Sequence, residues 1–227
     1  MTRLAATLFA GAAFALAASS AYAAKAPVKA AAPAAKAAAP AAAPAVAAVV
    51  APADVRAGAY TLDAAHGKIT WSVKHLGFST YVGQFTGVDA KLNLDPKNPA
   101  ASTLEATVKT DTVASLNPAL DTHLKSADFL DVAKFPTATF KSTKVTATGE
   151  RTADIAGDLT LHGVTKPVVL HAVFNKAGPG PMASKYRAGF DGAAEIKLTD
   201  FDIATKIAAF LGDNVKLAIE GEFVVVE

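Results

Sequence analysis

An all-β domain is the architecture this sequence predicts, and three observations carry the prediction. Apolar and polar residues alternate with period two from Ala59 onward, the mark of half-buried strands. The alternating stretches are many, eight or nine by this reading, and each has one apolar face. Only two short segments carry helix signals instead.

The elements follow in order. Ile69, Trp71, Val73 and His75 alternate with Lys68, Thr70, Ser72 and Lys74 after an opening strand. Val88, Ala90, Leu92 and Leu94 alternate with Asp89, Lys91, Asn93 and Asp95, and Gly87 marks a bulge that brings Phe85 onto the same apolar face. Leu104, Ala106 and Val108 form the next face. Asn117-Pro118 reads as an N-cap followed by proline at the first helical position, with the helix running to about Ser126. Strands follow around Ala138–Thr148 and Ile155–Leu161, the latter turning through His162–Lys166 into Pro167–Phe174. The last two strands are Tyr186–Leu198 and Val215–Val225. A second short helix is expected near Ile203–Leu211, ending at Gly212. This pattern allows a sandwich or a closed barrel.

The chain of 227 residues suits one domain plus extra segments. Arg3, the apolar run Leu4–Ala18 and Ala21-Tyr22-Ala23 have the order of a signal peptide, so residues 1–23 are expected to be cleaved on export. Residues 24–57 are mostly Ala, Pro and Lys and read as a disordered linker. Residues 58–227 are left as the folded domain. The net charge of +2 is unevenly placed, because the first 53 residues hold Arg3, Lys25, Lys29 and Lys36 and no acid. The remainder is close to neutral and has no electrostatic footprint for nucleic acid. No cysteine is present, which excludes disulfides, thiolate chemistry and a lipobox cysteine.

Reactive constellations are also missing from the sequence. His66, His75, His123, His162 and His171 show no metal-ligand spacing, so no metal is expected. There is no Gly-x-Ser-x-Gly elbow, phosphate-cradling loop or His-Glu-x-x-His helix, so the chain reads as a non-enzyme. The aromatic residues read equally as core or as pocket lining.

Three segments add a family resemblance: His75-Leu-Gly-Phe-Ser79, then Lys125-Ser-Ala-Asp-Phe129 with Phe135-Pro-Thr-Ala-Thr-Phe140, then Gly157–Pro167 with its Gly-Val-Thr-Lys-Pro ending. In this order they closely resemble the YceI-like lipid/polyisoprenoid-binding family across residues 58–227. The chain departs from it at Met182-Ala183-Ser184, where many members carry Trp-Gly-Gly, and at Asp202, where many carry Gly. The resemblance implies an eight-stranded antiparallel, lipocalin-like barrel with one or two short helices, in the periplasm. It implies no cofactor, but a polyisoprenoid, isoprenoid quinone or other long-chain lipid in the lumen, for carriage or storage. On this reading the ligand-binding residues are Trp71, Val73, His75, Phe78, Phe85, Leu92, Leu104, Val108, Phe129, Phe135, Phe140, Leu159, Phe190 and Ile196. Transient membrane contact and a homodimer are both compatible with it. Two alternatives stand beside it: a stress-response or interaction module with a filled barrel, and an enzyme acting on a lipid.

Overall fold

The computed structural model describes residues 52–180 and 185–227. The expected signal segment, the linker as far as Ala51 and Met182-Ala183-Ser184 lie outside the described residues. The described strands are β1 (Gly58–Leu62), β2 (Lys68–His75), β3 (Ser79–Phe85), β4 (Val88–Leu94), β5 (Thr103–Lys109), β6 (Val113–Ala114), β7 (Thr137–Ala147), β8 (Thr152–Leu161), β9 (Val164–Pro179), β10 (Tyr186–Lys197) and β11 (Asn214–Val225). The helices are α1 (Pro118–Lys125) and α2 (Ala208–Leu211).

These strands close into an eight-stranded antiparallel barrel, because β1 with β2, β3 with β4, and β5 with β6 are interrupted halves of single long strands. The register proves the point. β11 pairs through Phe223–Val225 with β1 and through Val215–Glu220 with β2 along one edge, while β10 lies along its other edge. Likewise β1 pairs with β4 and β2 with β3, and β4 pairs with β5 while β3 pairs with β6. A barrel closed by its first and last strands satisfies the backbone groups that an open sheet would leave at its edges. The expected Gly87 irregularity is one of the interruptions, and Phe85 and Val88 on its two sides both reach the interior.

Two tight hairpins explain why glycine follows histidine or leucine in the hallmark segments. In the β8–β9 hairpin His162 and Gly163 both have positive φ, 52° and 78°, as a type I′ turn requires. A Cβ at Gly163 would lie 2.6 Å from the Phe135 ring, so the position must also stay bare. In the β2–β3 hairpin Leu76 and Gly77 have φ of 53° and 75°, and the Phe78 N–H donates to the His75 carbonyl.

The barrel has two unlike ends. At one, the β6–β7 connection with α1 and the β10–β11 connection with α2 close the lumen. Asn117 caps α1 as expected, its side-chain oxygen accepting from the Ala119 and Leu120 N–H groups at 3.1 and 3.2 Å. The second helix is shorter than the sequence suggests. Within 203–212 only Ala208–Leu211 is α-helical, because Asp202 and Ala204 take left-handed backbone angles that cannot propagate a helix. Phe201, Ile203, Ala204, Phe129 and Leu130 pack there with Trp71, Val113, Ile196 and Val215.

The opposite end is plugged by Val55, Tyr60, Phe174, Ala177, Ala188 and Phe223. Here the linker boundary needs correction, since residues 52–57 are part of the fold. Val55 is buried, the Tyr60 hydroxyl donates to the Arg56 carbonyl at 2.6 Å, and the Arg56 guanidinium lies over the Tyr186 ring. An apolar side chain next to an open barrel end gains more from packing than from water. Burial pushes the Tyr60 phenol up to about 12, so it stays a donor.

Candidate functional site

Alternation around a closed barrel sends every second side chain inward, and here the inward set surrounds open apolar volume. The lumen has two chambers. The larger, about 280 Å³, is lined by Leu92, Leu104, Phe140, Val145, Ile155, Leu170, Phe174, Phe190, Ile219 and Phe223 among others. The smaller, about 160 Å³, lies under the helix-capped end and is lined by Trp71, Val73, Phe85, Val113, Leu124, Phe129, Leu161, Ile196, Ile203 and Leu211 among others. Ile69, Val108, Ala138, Leu159 and Leu217 border both, so they form the neck between the chambers.

The walls offer little chemistry. The smaller chamber's one hydroxyl side chain is Thr110, and that hydroxyl donates to the Phe135 carbonyl at 2.7 Å. No titratable side chain borders this chamber among the described residues. Charged residues bordering the larger chamber fall in turns (Asp95, Glu150, Arg151) or on strand positions of outward parity (Lys68, Asp191, Glu220). Arg151 is itself engaged: its guanidinium donates to the Phe174 and Asn175 carbonyls and lies over the Phe174 ring. Gly83, opposite Trp71, has no room for a Cβ, which would fall 2.1 Å from the indole.

Most of the sequence-predicted binding residues meet at this lumen. Leu92, Leu104, Phe140 and Phe190 border the larger chamber; Trp71, Val73, Phe85, Phe129 and Ile196 border the smaller; Val108 and Leu159 border both. The others do not, and each has a reason. His75 ends β2, where the strand leaves the barrel wall, and its side chain is exposed. Phe78 follows the hairpin turn and is 89% exposed. Phe135 lies outside the barrel against the β8–β9 hairpin, its ring 4.5 Å from that of His162. His123, in the last turn of α1, sits edge-on to Phe129 at 4.8 Å. Leu217 and Ile219 also line the lumen, and Val215, Leu217 and Ile219 alternate on β11 as plainly as the residues of β2.

One cluster has metal-compatible geometry among the described residues, formed by Asp63, His66 and Glu222. It already holds a cation. Arg187 Nη1 donates to Asp63 at 2.6 Å and to Glu222 at 3.0 Å, and the Asp63 carboxyl is held at about 2, below its ordinary 3.8, by Arg187 first and His66 second. The cluster is an ion-pair clamp beside the interruption between β1 and β2.

Comparisons with known proteins agree with this architecture. Residues 60–223 match the YceI-like domain family. Over 169 residues the chain is 46% identical to a UPF0312 protein of Ectopseudomonas mendocina, covering 73% of this chain and 87% of that protein. It is 44% identical over 149 residues to a UPF0312 protein of Pseudomonas syringae pv. syringae, covering 65% and 77%. The crystal structure of the Campylobacter jejuni YCEI protein superposes with a TM-score of 0.61 at 32% identity, covering 68% of this chain and 91% of that one. A polyisoprenoid binding domain from Saccharophagus degradans shares the fold, with a TM-score of 0.58 at 14% identity over 74% and 98%.

Proposed function

This chain belongs to the YceI-like family, and from that premise we propose that it is a periplasmic, non-catalytic carrier or store for a long-chain isoprenoid lipid. The reading also takes residues 1–23 as a cleaved export signal. The observation that carries the proposal is the two-chambered apolar lumen. Together the chambers fall within the ~300–1,000 Å³ typical of small-molecule sites. A tail threaded through the neck fills both.

Magnitudes support an apolar occupant. Burying each methylene of a tail gains ~0.8 kcal/mol, so about ten of them gain roughly 8 kcal/mol before ordering costs. That compares with the whole stability of a typical domain, ~5–15 kcal/mol. Water gains little in such a place, because it finds few hydrogen-bond partners on these walls. The polyisoprenoid binding of the Saccharophagus degradans domain gives a chemical class that suits a long, narrow, apolar channel.

Mass spectrometry of a solvent extract from protein purified out of its own cells tests the reading. A stoichiometric isoprenoid alcohol, phosphate or quinone is expected. The double variant Val73→Asn with Phe140→Asn, one change per chamber, removes it, while Lys91→Ala with Lys216→Ala on exposed positions leaves it. Wild-type protein that carries no lipid, and takes up none when offered polyprenols or quinones, overturns the proposal. Intact mass from the periplasmic fraction is expected to show a chain starting at Ala24.

A further inference from the structure

We propose that the helix-capped end of the barrel docks on the surface of an anionic lipid bilayer, with Phe78 and Phe210 seated among the lipids. The transfer role this gives the docking rests on the lumen reading above; the docking itself does not.

The first argument is where the chain spends its exposed apolar surface. Phe78 is 89% exposed, Phe210 72% and Leu116 99%, and Leu76 and Ile207 are about half exposed. They come from separate connections that the barrel brings to one end. The Leu76 N–H donates to the Leu211 carbonyl, which joins the β2–β3 hairpin to the α2 segment. Leu116 follows β6, the strand that pairs with β3. Towards the opposite end the large exposed apolar side chains among the described residues are Val226 and, on β9 opposite Thr152, Val173. Scattered exposed apolar residues are ordinary, but their concentration at one end marks a contact surface.

Continuity is the second argument. Ile203 and Leu211 border the smaller chamber, while Ile207 and Phe210 of the same segment face outward. A single stretch of chain therefore separates the apolar lumen from the apolar exterior. Its ends are marked by positive φ at Asp202, Ala204 and Gly212.

Charge identifies the occupant. No acidic residue occurs between Asp63 and Asp89, nor within 203–212, whereas Lys74 and Lys206 stand beside the exposed apolar side chains. Lysine stems along an apolar surface with their heads at phosphate level are the usual interfacial arrangement. Asp200, Asp202 and Asp213 bracket the segment, and Asp121 lies beside Leu116, its carboxylate accepting from the Ser115 N–H and hydroxyl; the Asp213 carboxylate accepts from the Thr199 N–H and hydroxyl. These acids limit the contact to the protruding aromatic tips. A second copy docked face to face would bring both pairs of lysines to one seam, which disfavours self-association there.

Because the chain has no cysteine, single labels report position directly. The exported protein carrying Phe78→Cys, Phe210→Cys or Val173→Cys is labelled with the polarity-sensitive dye NBD. It is mixed with vesicles of phosphatidylethanolamine and phosphatidylglycerol. A blue shift is expected at positions 78 and 210 and none at 173, on the barrel side. Phe78→Asp with Phe210→Asp is expected to lower vesicle partitioning about tenfold or more. Lys74→Gln with Lys206→Gln is expected to lower it only on vesicles containing phosphatidylglycerol. No shift at 78 and 210, or an equal shift at 173, overturns the docking. A shift at those positions without vesicles, tracking dimerisation in sedimentation velocity, assigns the face to self-association and also overturns it. The lipid extract separates the two readings. Wild-type protein that docks but yields no lipid, and takes up none when offered polyprenols or quinones, refutes the lumen proposal and leaves docking intact. A Phe78→Asp, Phe210→Asp variant that keeps its lipid but no longer docks confirms docking as a property of this end.

Discussion

The two ends of this barrel are held shut by different forces. At the helix-capped end the seal is apolar: Phe201 and Ile203 are almost completely buried, and Phe129, Leu130 and Leu211 lie across the smaller chamber. At the other end an apolar plug around Tyr60 and Phe223 is supplemented on the outside by the Asp63–Arg187–Glu222 clamp, which ties β1 to β10 and β11. The larger chamber also reaches the turns at Asp95–Pro99 and Gly149–Thr152 at this end. One end is thus built from side chains that touch both lumen and exterior, the other from a plug plus surface ion pairs. The difference teaches that packing and charge divide the work of closing one sheet, and it gives each end its own response to perturbation.

Truncating the apolar seal is expected to give the largest effect. Phe201 is 1% exposed, and its removal leaves a void that its neighbours, fixed by the surrounding strands, do not close. Phe201→Ala is expected to cost ~3–5 kcal/mol. Phe190→Ala, at the wall of the larger chamber, enlarges a space already there and is expected to cost about 1–2 kcal/mol, near the transfer contribution alone. Urea denaturation of delipidated protein measures both. Equal costs would show that the two ends are packed alike.

The neck between the chambers gives a smaller and sharper test. Ala138 is buried on β7 and borders both chambers. Ala138→Leu adds bulk there and is expected to cost ~1–3 kcal/mol through overpacking. Its functional reading is length selection: if one tail threads both chambers, the bound population shifts to shorter chains while shorter amphiphiles still bind. An unchanged chain-length profile in the lipid extract would mean that the chambers are used separately.

Much of this could be read from the residues beforehand, and the failures have physical causes. Period-two alternation located the strands because each has one face on an apolar lumen, as Ile69, Trp71 and Val73 show. Asn117-Pro118 announced α1 because capping and a missing N–H act within one turn. His75 and Phe78 were misplaced because parity holds only while a strand stays in the wall, and the hairpin takes both off it. Val55 was assigned to the linker because a lone valine among alanines and prolines has no local signal; its burial depends on Phe174 and Phe223, distant in sequence. The joining of β1 to β2 across Asp63–Gly67 was also hidden, since it is defined by their shared partner β11.

The smallest expected effect separates the ends by pH. The Asp63 carboxyl is held at about 2 in the folded protein against an ordinary 3.8, mainly by the Arg187 guanidinium. A depressed carboxyl contributes stability above its unfolded pKa and loses it as the pH falls towards the folded value. The clamp's contribution is therefore complete above about pH 4 and disappears between about 3.8 and about 2. Asp63 and Arg187 are both partly exposed, so solvent screening keeps the contribution small. The helix-capped seal has no such dependence built into its apolar contacts. Hydrogen exchange followed from pH 5 to pH 2, corrected for intrinsic rates, is expected to loosen the amides of β1 and of β11 from Phe223 to Val225 first. Those of β2 and of β11 from Val215 to Leu217 are expected to hold. Arg187→Leu should make the first group loose already at pH 5 and remove most of the change. Uniform loosening along β11 would mean that the ends are sealed by one cooperative core, with the clamp adding nothing of its own.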